Sequence, residues 1–165
     1  MNVVDWAKTA ELPEVKISAF ASGFVMYEDF LLGSFRGPKA RRIVTLLRHT
    51  DRVDEIAVVG GPGSSQLRFA IELGEKFSLP LKIFYLGDNG DCDLDPSLLS
   101  AGNLILLDTV SKRLSYKYRM ERYCMSKPNV LVLDFGVNVP SYEYVLDYAR
   151  IITERKMTKV FLPYG

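Results

Sequence analysis

A lysine follows a glycine-flanked loop in residues 33–42, which read GSFRGPKARR. Proline is favoured in the first turn of a helix, so Pro38 predicts that Lys39 lies at a helix N-terminus. Three nearby arginines add positive charge: Arg36, Arg41 and Arg42. Together with the positive end of the helix dipole, they disfavour a protonated amine and suit a lysine that acts as a nucleophile. A solvated basic turn is the alternative, and the segment alone favours it.

A second segment, GGPGSSQ at residues 60–66, lies between a predicted buried strand and a predicted helix. At this position an α/β sheet offers backbone N–H groups to an anion. The hydroxyls of Ser64 and Ser65 can cap the helix, or they can bind a carboxylate or phosphate. A tight structural turn with a serine cap is the alternative. Three glycines in four positions favour the close approach of a ligand.

The acidic run DNGDCDLD at residues 88–95 suggests a metal-binding loop. A calcium loop needs glycine at its sixth position and glutamate at its twelfth, and counted from Asp91 these positions hold Pro96 and Gly102. A solvated turn is therefore the favoured interpretation. His49 is the only histidine in the chain and is expected to cap the end of a helix, so no metal site is predicted.

The 165-residue chain is 48% apolar and 25% charged, with a formal net charge of +1. These values are typical of a globular protein, and the charge balance does not suit a nucleic-acid binder. No apolar run reaches the ~18 residues that cross a bilayer, and the N-terminus lacks the features of a signal peptide. The two cysteines, Cys92 and Cys124, are too few for a disulfide framework. We expect a cytoplasmic protein that binds neither nucleic acid nor membrane.

Apolar runs alternate with amphipathic stretches along the chain. Strands are predicted at residues 25–27, 55–61, 81–86, 114–118, 129–135 and 159–163, and helices at 38–49, 64–78, 102–110 and 141–156. Residues 93–100 are predicted to form a loop. Several strands are apolar on both faces, which predicts an α/β fold with a parallel sheet flanked by helices. The last helix is expected to pack Val145, Tyr148 and Ile152 onto this sheet.

The order of the motifs points to a known family. The relevant segments are YED at 27–29, GPKARR at 37–42, VVGGPGSSQLR at 58–68, AGNLILLD at 101–108 and DFGVN at 134–138. In this order they resemble the pyridoxal-phosphate enzymes of the tryptophan synthase β-like fold, above all the 1-aminocyclopropane-1-carboxylate deaminase and D-cysteine desulfhydrase family. The resemblance extends from about Leu12 onward.

The resemblance implies that Lys39 is the Schiff-base lysine that binds pyridoxal 5′-phosphate. It also implies that Ser64, Ser65 and Gln66 bind the substrate carboxylate, with Ser65 close to the cofactor as well. The implied reaction converts a small amino acid into a 2-oxo acid and ammonia, with the cofactor as electron sink. The chain departs from the family pattern at Pro38 and Ser65, where the family has asparagine, and at Val137.

Members of the family are about twice as long as this chain. By resemblance, residues 1–50 belong to the larger domain and carry the lysine loop, residues 51–156 form the small α/β domain, and residues 157–165 begin a C-terminal domain. The glycine-rich loop for the cofactor phosphate would follow residue 165. We therefore expect an inactive or truncated form whose partner is a second polypeptide that supplies the C-terminal half, or else a homo-oligomer.

Two alternatives remain open beside this hypothesis. One is a Rossmann-like nucleotide-binding domain without catalytic activity, because Gly61 and Gly63 open a helix after a strand and Asp88 follows the next strand. Gln66 stands where that fingerprint has its third glycine, which weakens the match. The other is a non-enzymatic interaction module, which no single motif favours.

Overall fold

The computed structural model describes residues 1–20, 23–29, 31, 33, 37–61, 63–86, 105–109, 113–135, 142–157 and 159. Its helices are α1 (Val3–Thr9), α2 (Pro38–Arg48), α3 (Ser65–Phe77), α4 (Arg113–Met125) and α5 (Glu143–Glu154). Its strands are β1 (Val15–Phe20), β2 (Gly23–Glu28), β3 (Glu55–Gly60), β4 (Leu81–Tyr85), β5 (Ile105–Thr109) and β6 (Val130–Leu133). None of these helices is long and apolar enough to cross a membrane.

Four strands form a parallel sheet in the order β5-β4-β3-β6. The chain therefore builds this sheet outward from β3 to β5 and then returns to place β6 on the other side of β3. The strand order reverses between β3 and β6, and in open α/β sheets ligands bind at such a point, outside the carboxyl ends of the strands. The predicted α/β class with a parallel sheet flanked by helices is confirmed.

The two faces of the sheet are covered by different helices. Ile56 and Val58 of β3 face a large apolar core with α1, α2 and α3, and Leu131 and Leu133 of β6 face the same core. The alternate residues Ala57 and Val59 pack against Tyr116 and Met120 of α4 on the opposite face. This alternation explains why the whole of β3 is buried and why its sequence is a continuous apolar run. The predicted domain boundary at residue 50 stays a prediction.

A separate antiparallel hairpin, formed by β1 and β2, precedes α2. The sequence predicted only residues 25–27 of it as a strand. Most of β2 is exposed, including Phe24, Val25 and Tyr27, whereas its last residue, Glu28, is buried. Glu28 thus attaches the hairpin to the rest of the molecule.

Two predicted elements are wrong in type. A helix was expected at residues 102–110, but Ile105–Thr109 is the strand β5, which pairs in parallel with β4. The short apolar run fits either structure by periodicity, and the pairing with β4 decides between them. A strand was expected at residues 114–118, but these residues lie in α4, where the buried Tyr116 and Met120 are four residues apart on one helical face.

The last helix, α5, makes its main contacts with α2, whereas the sequence predicted that it packs onto the sheet. Val145, Tyr148 and Ile152 are only half-buried, whereas Ile151 is buried. The helix begins at Glu143, and the predicted cap Ser141 lies outside the described residues. Three further predictions also fall outside the described residues: the acidic loop at 88–95, the loop at 93–100, and residues 160–163 of the predicted last strand.

Candidate functional site

The helices α2 and α3 both begin toward the carboxyl edge, the side of the sheet at which the parallel strands end. The start of α3 lies there because Ser65 follows the end of β3 closely. At the other end of α2, Arg48 donates hydrogen bonds to backbone carbonyls of α1. The ring of Trp6 in α1 lies 5.4 Å from that of Phe77, at the end of α3. The C-termini of α2 and α3 are therefore close to the opposite edge, and Lys39 and Ser65 each lie in the first turn of a helix that begins toward the carboxyl edge.

The glycines of the turn after β3 are explained by the local backbone. A Cβ on Gly61 would lie 2.6 Å from the carbonyl oxygen of Leu86, and one on Gly60 would lie 2.9 Å from the hydroxyl of Ser64. Gly63 has a φ of +73°, and a Cβ there would meet no atom of the described residues within 4 Å. Only Gly63 therefore leaves room for a ligand, and the three glycines by themselves are not evidence for one.

The two serines of this turn have different environments. The Ser64 hydroxyl accepts a hydrogen bond from the Leu67 N–H at 3.3 Å, and the Ser64 N–H donates to the Gly61 carbonyl at 3.1 Å. Ser64 is thus the N-cap of α3. Ser65 is exposed at the first position of the helix. Of the two predicted hydroxyl ligands, Ser65 is the one whose side chain faces solvent.

Gln66 connects α3 to the neighbouring strand. Its side-chain amide donates hydrogen bonds to the carbonyl oxygens of Leu133, at 2.8 Å, and Asp134, at 3.2 Å. These carbonyls lie at the end of β6, so Gln66 bridges the point at which the strand order reverses. Because its amide nitrogen makes these two hydrogen bonds, Gln66 stabilises the carboxyl edge of the sheet.

The structure confirms that Lys39 lies in the first turn of α2 directly after Pro38, and its side chain is exposed. Among the described residues, no hydrogen bond or ion pair involves its amine. The preceding loop approaches α3, since a Cβ on Gly33 would lie 2.5 Å from the Glu72 carboxylate. Gly33 therefore lies close to α3, although no described contact joins Lys39 to Ser64, Ser65 or Gln66.

Arg41 does not act on Lys39 as a free positive charge, which corrects the expectation from sequence. Its side chain is fully buried, with Nε 2.9 Å from Glu28 Oε1 and Nη1 2.8 Å from Asp147 Oδ2. It also donates a hydrogen bond to the Pro13 carbonyl and lies 5.5 Å from the ring centre of Tyr148. Two carboxylates thus compensate its charge. The positive end of the α2 dipole still lies close to the amine. Arg36, another of the predicted charges, lies outside the described residues.

The Glu28 carboxylate is the centre of this cluster. Burial raises the pKa of Glu28, and the Arg41 guanidinium and the polar backbone N–H of Gly37 oppose the rise. Neither Glu28 nor Asp147 was predicted from sequence as part of a site. The segment at residues 27–29 was noted for its acidic residues, but the contact with Asp147 joins positions 106 residues apart and leaves no local pattern.

The predicted cofactor ligands can be tested against these environments. The exposed Lys39 amine fits covalent attachment of an aldehyde, and Ser65 with the open turn at Gly63 fits a carboxylate or phosphate. Ser64 and Gln66 fit less well, because their polar atoms already bind the protein. No cluster of metal-ligating side chains occurs in the part of the chain that the structure describes. His49 lies at the C-cap of α2, as predicted.

The chain was compared with protein-family models and with curated proteins, and neither comparison gives a match. The family relationship inferred from the order of the motifs therefore stays a prediction that rests on the residues themselves.

Proposed function

We propose that this chain is a pyridoxal-phosphate-dependent protein of the amino-acid deaminase and desulfhydrase type, with Lys39 as the residue that attaches the cofactor. The observation that carries the proposal is the exposed Lys39 amine in the first turn of α2, together with a second helix, α3, that begins with an exposed serine. Both starts lie toward the carboxyl edge, where α/β proteins bind ligands.

In this proposal each candidate residue has a role that follows from its chemistry. The Lys39 amine would hold the cofactor, and as a free amine it would take the proton from the substrate α-carbon. The Ser65 hydroxyl and the N-terminus of α3 bind the substrate carboxylate, because a helix N-terminus favours an anion. The bound cofactor supplies the electron sink that makes the α-proton acidic.

We expect the isolated chain to bind the cofactor weakly and to have little deaminase activity. Phosphate is held in proteins by several charge-assisted hydrogen bonds, each worth roughly 1.5–3 kcal/mol. Two of the three polar side chains predicted at the turn, Ser64 and Gln66, use their hydrogen bonds within the protein. Ser65 and the start of α3 are assigned to the substrate carboxylate, so the described residues of this turn leave few such bonds for the phosphate.

A nucleotide-binding domain is the second candidate, and the strand order favours it. Counted within the parallel sheet, the strands lie in the order third, second, first, fourth, as in the first part of a dinucleotide-binding sheet. The position of α5 argues against a nucleotide-binding domain. Crossovers between parallel strands are right-handed, so α4, which precedes β6, lies on one face of the sheet. A helix that led from β6 to a further strand beside it would lie on that same face. Instead, α5 packs on α2, which lies on the other face.

A titration with pyridoxal phosphate distinguishes the two candidates. The wild-type chain should develop the visible absorbance of the cofactor bound to an amine, and Lys39→Ala should lose most of it. The matched control is Lys8→Ala, which removes another exposed helical lysine and should leave the band unchanged. A melting temperature that rises with a nucleotide, combined with equal bands in all three proteins, would favour the nucleotide-binding domain.

A further inference from the structure

Lys39 lies two positions before an arginine that binds a buried carboxylate of the hairpin. The Nε atom of Arg41 lies 2.9 Å from Glu28 Oε1. Glu28 is 2% exposed and Arg41 is fully buried. A single side chain of the hairpin therefore holds α2 in place directly after the candidate lysine.

This arrangement matters because the start of α2 has no side-chain cap. Its N-cap is Gly37, with a φ of +88°, and Pro38 follows with no N–H to donate. The first helical hydrogen bond runs from the Arg41 N–H to the Gly37 carbonyl at 3.2 Å. An uncapped first turn frays easily, so contacts outside the helix must fix it.

The Arg41 guanidinium supplies those contacts in three directions. It binds Glu28 at the end of β2, Asp147 of α5 and the carbonyl of Pro13, which precedes β1. A planar guanidinium can serve several acceptors at once, whereas a lysine amine at this position could not reach all three in the same geometry. The first turn of α2 is thereby tied to the hairpin and to α5 together.

We propose that Glu28 and Arg41 are positioning residues, which fix the first turn of α2 and hold the Lys39 amine in place for attachment of an aldehyde cofactor. This inference rests on the proposed function of Lys39. Neither side chain is proposed to touch the cofactor. Their effect passes through the backbone of residues 37–41.

The test uses the double variant Glu28→Gln/Arg41→Met in the full chain. Removing only one charge would leave the other buried and uncompensated and could unfold the protein, whereas replacing both avoids that penalty. Arg48→Met is the control, because Arg48 also lies in α2 and pairs with α5 through Glu143, at 3.9 Å. Circular dichroism first establishes that both variants are folded.

Two readouts follow. Amide hydrogen exchange of residues 41–44 should be faster in the double variant by about tenfold or more, with little change in β3 and α3. The rate at which pyridoxal phosphate and borohydride modify Lys39 should fall by about fivefold or more, while modification of other exposed lysines stays constant. Arg48→Met should change neither readout at the start of α2.

The outcomes separate this inference from the proposed function. If wild-type Lys39 is modified no faster than other exposed lysines, the proposed function fails before any variant is used. If wild-type Lys39 is modified preferentially and the double variant retains that preference, the inference is overturned, even where amide exchange becomes faster. Unchanged exchange in a folded double variant overturns it as well.

Discussion

At the scale of single residues, neighbouring side chains in one motif have different environments. Ser64 and Ser65 are adjacent, yet one caps α3 and the other faces solvent. The sequence predicted both as ligands, because both hydroxyls stand at a helix start and only the backbone geometry decides which one turns inward. Arg41 and Lys39 differ in the same way, since Arg41 is buried by acceptors that are distant in sequence. Such long-range partners cannot be derived from local spacing.

The two serines give a matched pair of substitutions. Ser64→Ala should lower the free energy of unfolding by about 1 kcal/mol, because it removes the N-cap of α3. Ser65→Ala should change that free energy by less than about 0.5 kcal/mol, since its side chain is exposed. Urea denaturation followed by circular dichroism measures both. Equal losses in the two variants would show that Ser65 is also structural.

At the scale of elements, the sequence predicted the buried strands well. Continuous apolar runs defined β3, β4 and β6, and each lies within two residues of its predicted bounds. The errors at β5 and α4 arose where the apolar pattern was short or sparse, so that pairing and packing with distant residues determined the structure. The hairpin partner β1 was missed because Lys16 and Ser18 alternate with its apolar residues, so that it contains no continuous apolar run.

Alternate side chains of β6 face opposite sides of the sheet, and substitutions of two neighbouring residues test this register. Leu133→Ala should lower the free energy of unfolding by about 2–5 kcal/mol, because Leu133 is fully buried in the core with α2 and α3. Val132→Ala should cost about 1 kcal/mol or less, since Val132 faces the other side and is 37% exposed. Thermal or urea unfolding measures the pair. A larger loss for Val132→Ala would contradict the register of β6.

At the scale of the whole molecule, the two edges of the sheet carry different polar groups. The carboxyl edge has the exposed Lys39 and Ser65. The opposite edge has a compact cluster in which Tyr123 donates a hydrogen bond to Glu55 and the Lys127 amine lies 2.6 Å from both. We infer that the second cluster stabilises the fold, because its groups satisfy one another where β3 begins.

That cluster predicts a loss of stability in alkali. Burial and then the hydrogen bond to Glu55 raise the pKa of Tyr123, and hydrogen bonds to Glu55 and Tyr123 raise the pKa of Lys127. A group whose pKa is raised on folding stabilises the protein below its unfolded value, here about 10, and this contribution disappears as the pH rises through the folded value. The urea midpoint of the wild-type chain should therefore fall more above pH ~10 than that of Tyr123→Phe. Parallel curves for the two proteins would exclude this role for Tyr123.

The central claim is that Lys39 attaches pyridoxal phosphate, and borohydride trapping tests it most directly. The chain is incubated with a substoichiometric amount of pyridoxal phosphate and reduced, and the modified lysines are identified by peptide mass mapping. The account predicts that Lys39 carries most of the reduced adduct and that Lys39→Ala loses this fraction without a gain at another single lysine. An adduct spread evenly over the exposed lysines, with no preference for Lys39, would contradict it.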